Sequence, residues 1–155
     1  MHERKSQSEQ VGYVIVPGSA GRRRDFRLSV GLREGWNEEG RVFDASEAVR
    51  TARAWMIRRV EAKKPVLSGM ITRAEVTYAW TKEDGSTASD REPIALFEGE
   101  ASHEDLGGVC DSDIEDMLNE LASELGSALG QERIHVAFCE RTWILQPRPT
   151  TGSGG

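Results

Sequence analysis

Apolar runs in this chain are short. Stretches such as Val14-Ile15-Val16 fall far below the ~18–20 residues that a membrane-crossing helix requires. The opening residues Met1-His2-Glu3-Arg4-Lys5 hold no apolar block of the kind a secretion signal carries. Cysteine is scarce: Cys110 and Cys139 are too few for a disulfide framework and suit the reduced thiols of a cytoplasm, the expected location. Proline occurs five times and glycine 16 times in 155 residues, which excludes collagen-like and low-complexity chains. Aromatic residues make up 6%, without the clustered aromatics by which RNA-binding sheets stack bases.

The scarcest feature is positive charge in the middle of the chain. Between Arg91 and Arg133 there is no lysine or arginine, while the same window holds twelve carboxylates. The net charge of −6 therefore hides a division. Residues 1–75 carry 15 basic and 10 acidic groups, and residues 76–155 carry 5 and 16. Partition of this kind bears on partners and association rates more than on fold.

What is present reads as one α+β domain over residues 11–146. A flexible arm at 1–10 and a Pro/Gly/Ser-rich tail at 147–155 flank it. Val11–Val16 reads as a strand ended by Pro17-Gly18. Phe26, Leu28, Val30 and Leu32 alternate with Arg27, Ser29, Gly31 and Arg33, the period of a strand with one wet face. Asp44 and Glu47 form a capping-box-like pair opening a helix to about Lys63, with Ala48, Val49, Ala52, Met56 and Val60 on one face and Pro65 beyond its end.

Met70, Thr72, Ala74, Val76, Tyr78 and Trp80 alternate along a long strand. After the turn signal Asp84-Gly85 comes a loose hairpin loop to Arg91, and then a strand from about Ile94 to Glu100. An acidic loop at 101–110 precedes a second helix, whose stripe is Ile114, Met117, Leu118, Leu121, Leu125 and Ala128. A last strand runs from Ile134 through Glu140-Arg141 to Leu145. The order β-α-β, β-α-β predicts a ferredoxin-like split β-α-β duplication: an antiparallel sheet, two helices on one face, and the N-terminal strand as an addition. An exposed sheet edge makes a homodimer the expected assembly.

No motif names an activity. His135 and Cys139 lie on one strand face, but at ~3.3 Å per residue they stand roughly 13 Å apart, too far for a nucleophile and its base. Cys139 reads as a small core residue. His103-Glu104-Asp105 and Cys110-Asp111-Ser112-Asp113 match neither a calcium loop nor a zinc spacing, so no metal or other cofactor is expected. Glu98, Glu100 and His103 are the residues that acid/base chemistry in a cleft would use. The loop Gly18–Arg24 lacks the Lys-Ser/Thr ending of a phosphate loop and opens a strand instead of a helix.

Two surfaces remain. Arg22, Arg23, Arg24, Arg27, Arg50 and Arg53 are the candidate contacts to an anion or a nucleic-acid backbone, the less favoured partner for an acidic chain. Glu98, Glu100, Glu104, Asp105, Glu120 and Glu124 are candidate contacts to a protein with a basic surface, with Trp36 as an anchor in a Gly-bounded loop. Trp55 flanks the first helix's stripe as core or subunit interface. The leading expectation is a small, non-enzymatic regulatory protein docking through these charged faces. The alternative is a nucleotide- or metal-binding protein or small enzyme, with a pocket where the sheet meets a second copy, near the Gly18–Arg24 loop and the acidic loop.

Overall fold

Strand β1 (Asp25–Gly31) has the expected alternation: Phe26, Leu28 and Val30 are buried, and Arg27 and Ser29 turn to the opposite face. A computed structural model describes residues 12–35 and 38–149. The arm at 1–10, Trp36 and residues 150–155 of the tail lie outside the described residues. After β1 come α1 (Ala45–Glu61), β2 (Met70–Thr81), β3 (Thr87–Glu100), the one-turn helix α2 (His103–Leu106), α3 (Asp111–Ala128), β4 (Ile134–Phe138) and β5 (Arg141–Leu145). The sheet order is β2-β3-β1-β4-β5, with every neighbouring pair antiparallel. Its first four strands and two long helices follow the ferredoxin-like plan.

The fifth strand is C-terminal, which corrects the expectation of an added N-terminal strand. Tyr13 to Val16 have no place in the sheet and are exposed, Tyr13 at 79% and Val16 at 50%. The strand that lengthens the sheet is β5, which reaches β4 through the two-residue turn Cys139-Glu140, where Cys139 holds φ +52°. A hairpin closes over a short loop, whereas residues 12–16 would have to close a loop of more than a hundred residues to reach β4.

Both long helices pack on one face. The Asp44 carboxylate caps α1 by accepting from the Ser46 N–H at 2.8 Å. This holds its carboxyl below the ordinary carboxylate range. The buried positions of α1 are Ala48, Ala52 and Trp55, so the stripe is turned toward Trp55, while Val60 is 60% exposed. In α3 the expected stripe is buried at Ile114, Met117, Leu118, Leu121 and Leu125, while Ala128 at its end is exposed. Helix and sheet approach closely at Gly126, where a Cβ would stand 2.4 Å from Ile134 Cδ1. These side chains join Phe26, Leu28, Val30, Phe97, Val136 and Phe138 in one core. No helix among the described residues is long and apolar enough to cross a membrane.

Among the described residues the other face carries no helix. There the long β2–β3 ladder continues past the end of β1: β1 pairs with β3 only from Ile94 to Glu100, whereas β2 pairs with β3 from Thr87 onward. Residues 87–93, expected in a loop, are thus drawn into a two-stranded arm by the length of β2.

Candidate functional site

The alternation of β2 decides the chemistry of the uncovered face. Register sets Val76 opposite Glu92, Tyr78 opposite Asp90 and Trp80 opposite Ala88. Because Ile94 and Leu96 lie on the side of β3 opposite the buried Ala95 and Phe97, the row Met70, Thr72, Ala74, Val76, Tyr78, Trp80 faces away from the helices. Tyr78 and Trp80 stack with ring centroids 5.5 Å apart. Together with Val76, Asp90 and Glu92 they form one wall of a cleft of about 560 Å³, whose other wall comes from Arg33, Glu38, the 131–133 segment and His135. That volume lies within the ~300–1,000 Å³ typical of small-ligand sites.

The polar groups of this cleft differ in how firmly they are held. Glu92 accepts from Arg33 Nε at 3.0 Å, and the Arg33 guanidinium also donates to the carbonyls of Glu38 and Gly40. This fixes one carboxylate against the cleft floor. The Asp90 carboxylate accepts from the Arg91 N–H at 2.7 Å. Desolvation, followed by the negative charges of Asp90, Glu92 and Glu38, raises the Tyr78 phenol above its ordinary value. The cleft therefore offers two aromatic faces in a negative field, an environment suited to a flat ring and to a cation.

A second cleft, of about 570 Å³, lies on the same face over β1, β4 and β5, and Ser29 and His135 line both. Neither of these two clefts involves the Gly18–Arg24 loop or residues 101–110. The signal that would have located the aromatic cleft was the alternation of β2, read as a strand pattern without a way to tell which face the helices would cover.

The expected basic surface is dispersed. Arg24 is 4% exposed and donates to the carbonyls of Leu106 and Val109 and to Asp111, pinning the start of α3 to the end of the sheet. Arg22 pairs with the same Asp111 and reaches Cys139 Sγ at 3.5 Å, while Arg23 pairs with Asp25. Arg50 pairs with Glu47 on α1, and Arg53 is exposed on the same helix. Arg27 stands on the uncovered face, across the sheet from both.

The acidic residues are divided as well. Glu120 accepts from the indole N–H of buried Trp55 at 2.8 Å and from Arg59, and Glu124 pairs with Arg58. The opposite charges of the two halves of the chain thus meet between α1 and α3. Glu98 and Glu100 belong to the uncovered face of β3, and Glu104 and Asp105 are exposed on α2. His103 Nε2 contacts the carbonyl of Arg22 at 2.6 Å. Among the described residues no group of three or more His, Cys, Asp or Glu side chains is placed to hold a metal ion.

No protein-family model matches the chain, and no curated protein matches it in sequence. Solved structures do share its fold. A phage SAM lyase in complex with S-methyl-5'-thioadenosine superposes with a TM-score of 0.58 at 16% identity, covering 86% of this chain and 97% of the lyase. A phage SAM lyase in the apo state gives 0.50 at 16% identity over 88% and 98%. CutA from Synechococcus elongatus overlaps with a TM-score of 0.31 at 17% identity over 81% and 76%.

Proposed function

We propose that this chain is a small enzyme acting on an adenosyl sulfonium, S-adenosylmethionine, by cleaving a carbon–sulfur bond to release S-methyl-5'-thioadenosine. The observation that carries the reading is the aromatic, negatively charged cleft on the uncovered face. Its chemistry suits both parts of such a ligand: Tyr78 and Trp80 offer stacking faces for adenine, and Asp90, which has no ion-pair partner among the described residues, attracts the sulfonium charge. The overlap with nearly the whole length of the phage lyase supports the same reading.

In the proposed reaction the bond between sulfur and the amino-acid chain breaks and its electron pair remains on sulfur, so the cation becomes a neutral thioether. A lyase adds no water. The vacated carbon is taken by an oxygen of the departing fragment's own carboxylate, which closes a lactone and needs no proton acceptor. Asp90 binds and orients the cationic substrate, and it holds the neutral product less strongly, which favours its release.

The working form is a homodimer or larger homo-oligomer, with a second copy on the uncovered face. A two-stranded ribbon has little stability alone in water, yet the arm presents Val76, Tyr78 and Trp80 at 43–45% exposure, and Met70 on the same face is 69% exposed. A neighbouring copy would cover them and exclude water from the cleft. Docking to another macromolecule through segregated charge draws less support, since Glu120 and Glu124 are partnered by Arg59 and Arg58 within the chain.

The test is incubation of purified protein with S-adenosylmethionine and chromatographic detection of S-methyl-5'-thioadenosine. Time-dependent formation that is slowed in Trp80→Ala is the expected result. Absence of that product, together with no saturable binding of either adenosyl compound, overturns the reading. Light scattering of the same samples gives the number of copies.

A further inference from the structure

We infer that the second cleft, over β1, β4 and β5, is a carboxylate-binding subsite continuous with the aromatic cleft. It receives the amino-acid end of the ligand through Arg27, Ser29, His135 and Thr142. The inference rests on the reading above for the ligand's identity, but its geometry is independent of that reading.

Alternation again places the groups. Arg27 and Ser29 are the residues of β1 that turn away from the buried Phe26, Leu28 and Val30. Register sets Ser29 opposite His135 and Arg27 opposite Ala137, while Ala137 pairs in turn with Thr142 and His135 with Ile144. The result is a groove of about 570 Å³ with a guanidinium, an imidazole and two hydroxyls along it and no carboxylate in its lining. Among the described residues none of these four side chains makes a hydrogen bond or ion pair. Glu98 stands opposite Arg27 across the β1–β3 ladder, yet the two form no salt bridge, which leaves the guanidinium available.

Three other arginines of the fold are engaged: Arg24 with two carbonyls and Asp111, Arg33 with Glu92, Arg59 with Glu120 and the Pro65 carbonyl. Arg27 thus combines an unpaired planar donor with a concave setting, the arrangement that binds a carboxylate through two parallel hydrogen bonds. Ser29 and His135 line both clefts, so one ligand can span them. Its flat ring and cation would lie against Tyr78 and Trp80 and its carboxylate at Arg27. The uncovered face then has an aromatic end, where Glu38, Asp90, Glu92 and Glu132 outnumber Arg33 and Arg133, and an end with Arg27 and no carboxylate, matching a ligand that carries both charges.

The experiment is a titration followed by nuclear magnetic resonance, reading the ring signals of His135 and the indole N–H of Trp80. The probes are L-methionine, 3-(methylthio)propylamine, which is the same thioether amine without its carboxylate, and S-methyl-5'-thioadenosine. L-methionine is expected to shift His135 saturably and the amine to leave it unmoved. Arg27→Met is expected to weaken the methionine response about tenfold or more, with Arg27→Lys keeping part of it. Retained signal dispersion in both variants reports that the fold is intact. The inference is overturned if L-methionine leaves His135 unmoved, if the amine shifts it equally, or if Arg27→Met binds as the parent does. S-methyl-5'-thioadenosine separates the two claims. Failure to move Trp80 while L-methionine still moves His135 defeats the adenosyl reading and leaves the carboxylate subsite standing.

Discussion

The two faces of the sheet are built from alternate residues of the same strands, and they are used in opposite ways. On the helix-covered face Leu28 is fully buried, and Phe26 and Phe97 pack with ring centroids 5.4 Å apart. One residue along the chain, Ser29 borders two clefts. The covered face is shaped by volume, because each side chain there meets others on all sides. The uncovered face is shaped by charge and by ring planes, and its side chains are free to meet something outside the chain. A strand of period two thus keeps stability and recognition on separate residues, so either can be altered with small effect on the other.

The largest expected effect breaks one side of that comparison. Leu28→Ala should lower the unfolding free energy by about 2–5 kcal/mol, while Ser29→Ala should change it by less than about 0.5 kcal/mol; denaturant unfolding of the two variants measures the contrast. Comparable losses from both would show that the faces are not energetically separate. Next in size, Trp80→Ala should weaken S-methyl-5'-thioadenosine binding about fivefold, as loss of a stacking partner worth ~1 kcal/mol implies. It should leave the denaturant midpoint of dilute monomer nearly in place.

The smallest effect concerns the covered side and pH. The Asp44 carboxyl titrates below its ordinary range because its charged form accepts from the Ser46 N–H. Its contribution to α1 is complete above the unfolded-state value and disappears as pH falls through the lowered native value. Thermal unfolding followed by circular dichroism from pH 7 to pH 3 should show an acid-side loss for the parent. Asp44→Asn, which caps without charge, should remove that component of the loss.

Much of the fold was legible in the residues. The stripe from Ile114 to Leu125 and the alternations in β1 and β4 each carry a period that a single element satisfies. Asp44 marks the start of α1 through local hydrogen bonding. The failures are equally physical. Val14-Ile15-Val16 has strand composition, but β5 reaches β4 over a two-residue turn and lengthens the sheet. Residues 87–93 are polar, yet the long β2 strand pairs with them. Glu120 and Glu124 read as an exposed acidic ridge, and the packing of α3 against α1 brings Arg58 and Arg59 to them. Arg22 to Arg24 and Arg27 look like one cluster along the chain. Strand direction and burial send Arg24 inward and Arg27 to the other face.

Periodicity by itself determined the two long helices and the alternating parts of β1 to β4, since a helix stripe or a strand alternation is a property of neighbours in sequence. The same holds for the division of charge between the two halves, which is a count. Only the tertiary structure decided which side of each strand would be covered, because alternation marks two faces without saying where the helices pack. That choice placed Tyr78, Trp80, Asp90 and Glu92 in a cleft with Arg33 and set Arg27 beside Ser29 and His135. These are contacts between residues far apart in the chain, fixed by register and by the packing of both long helices on the other side.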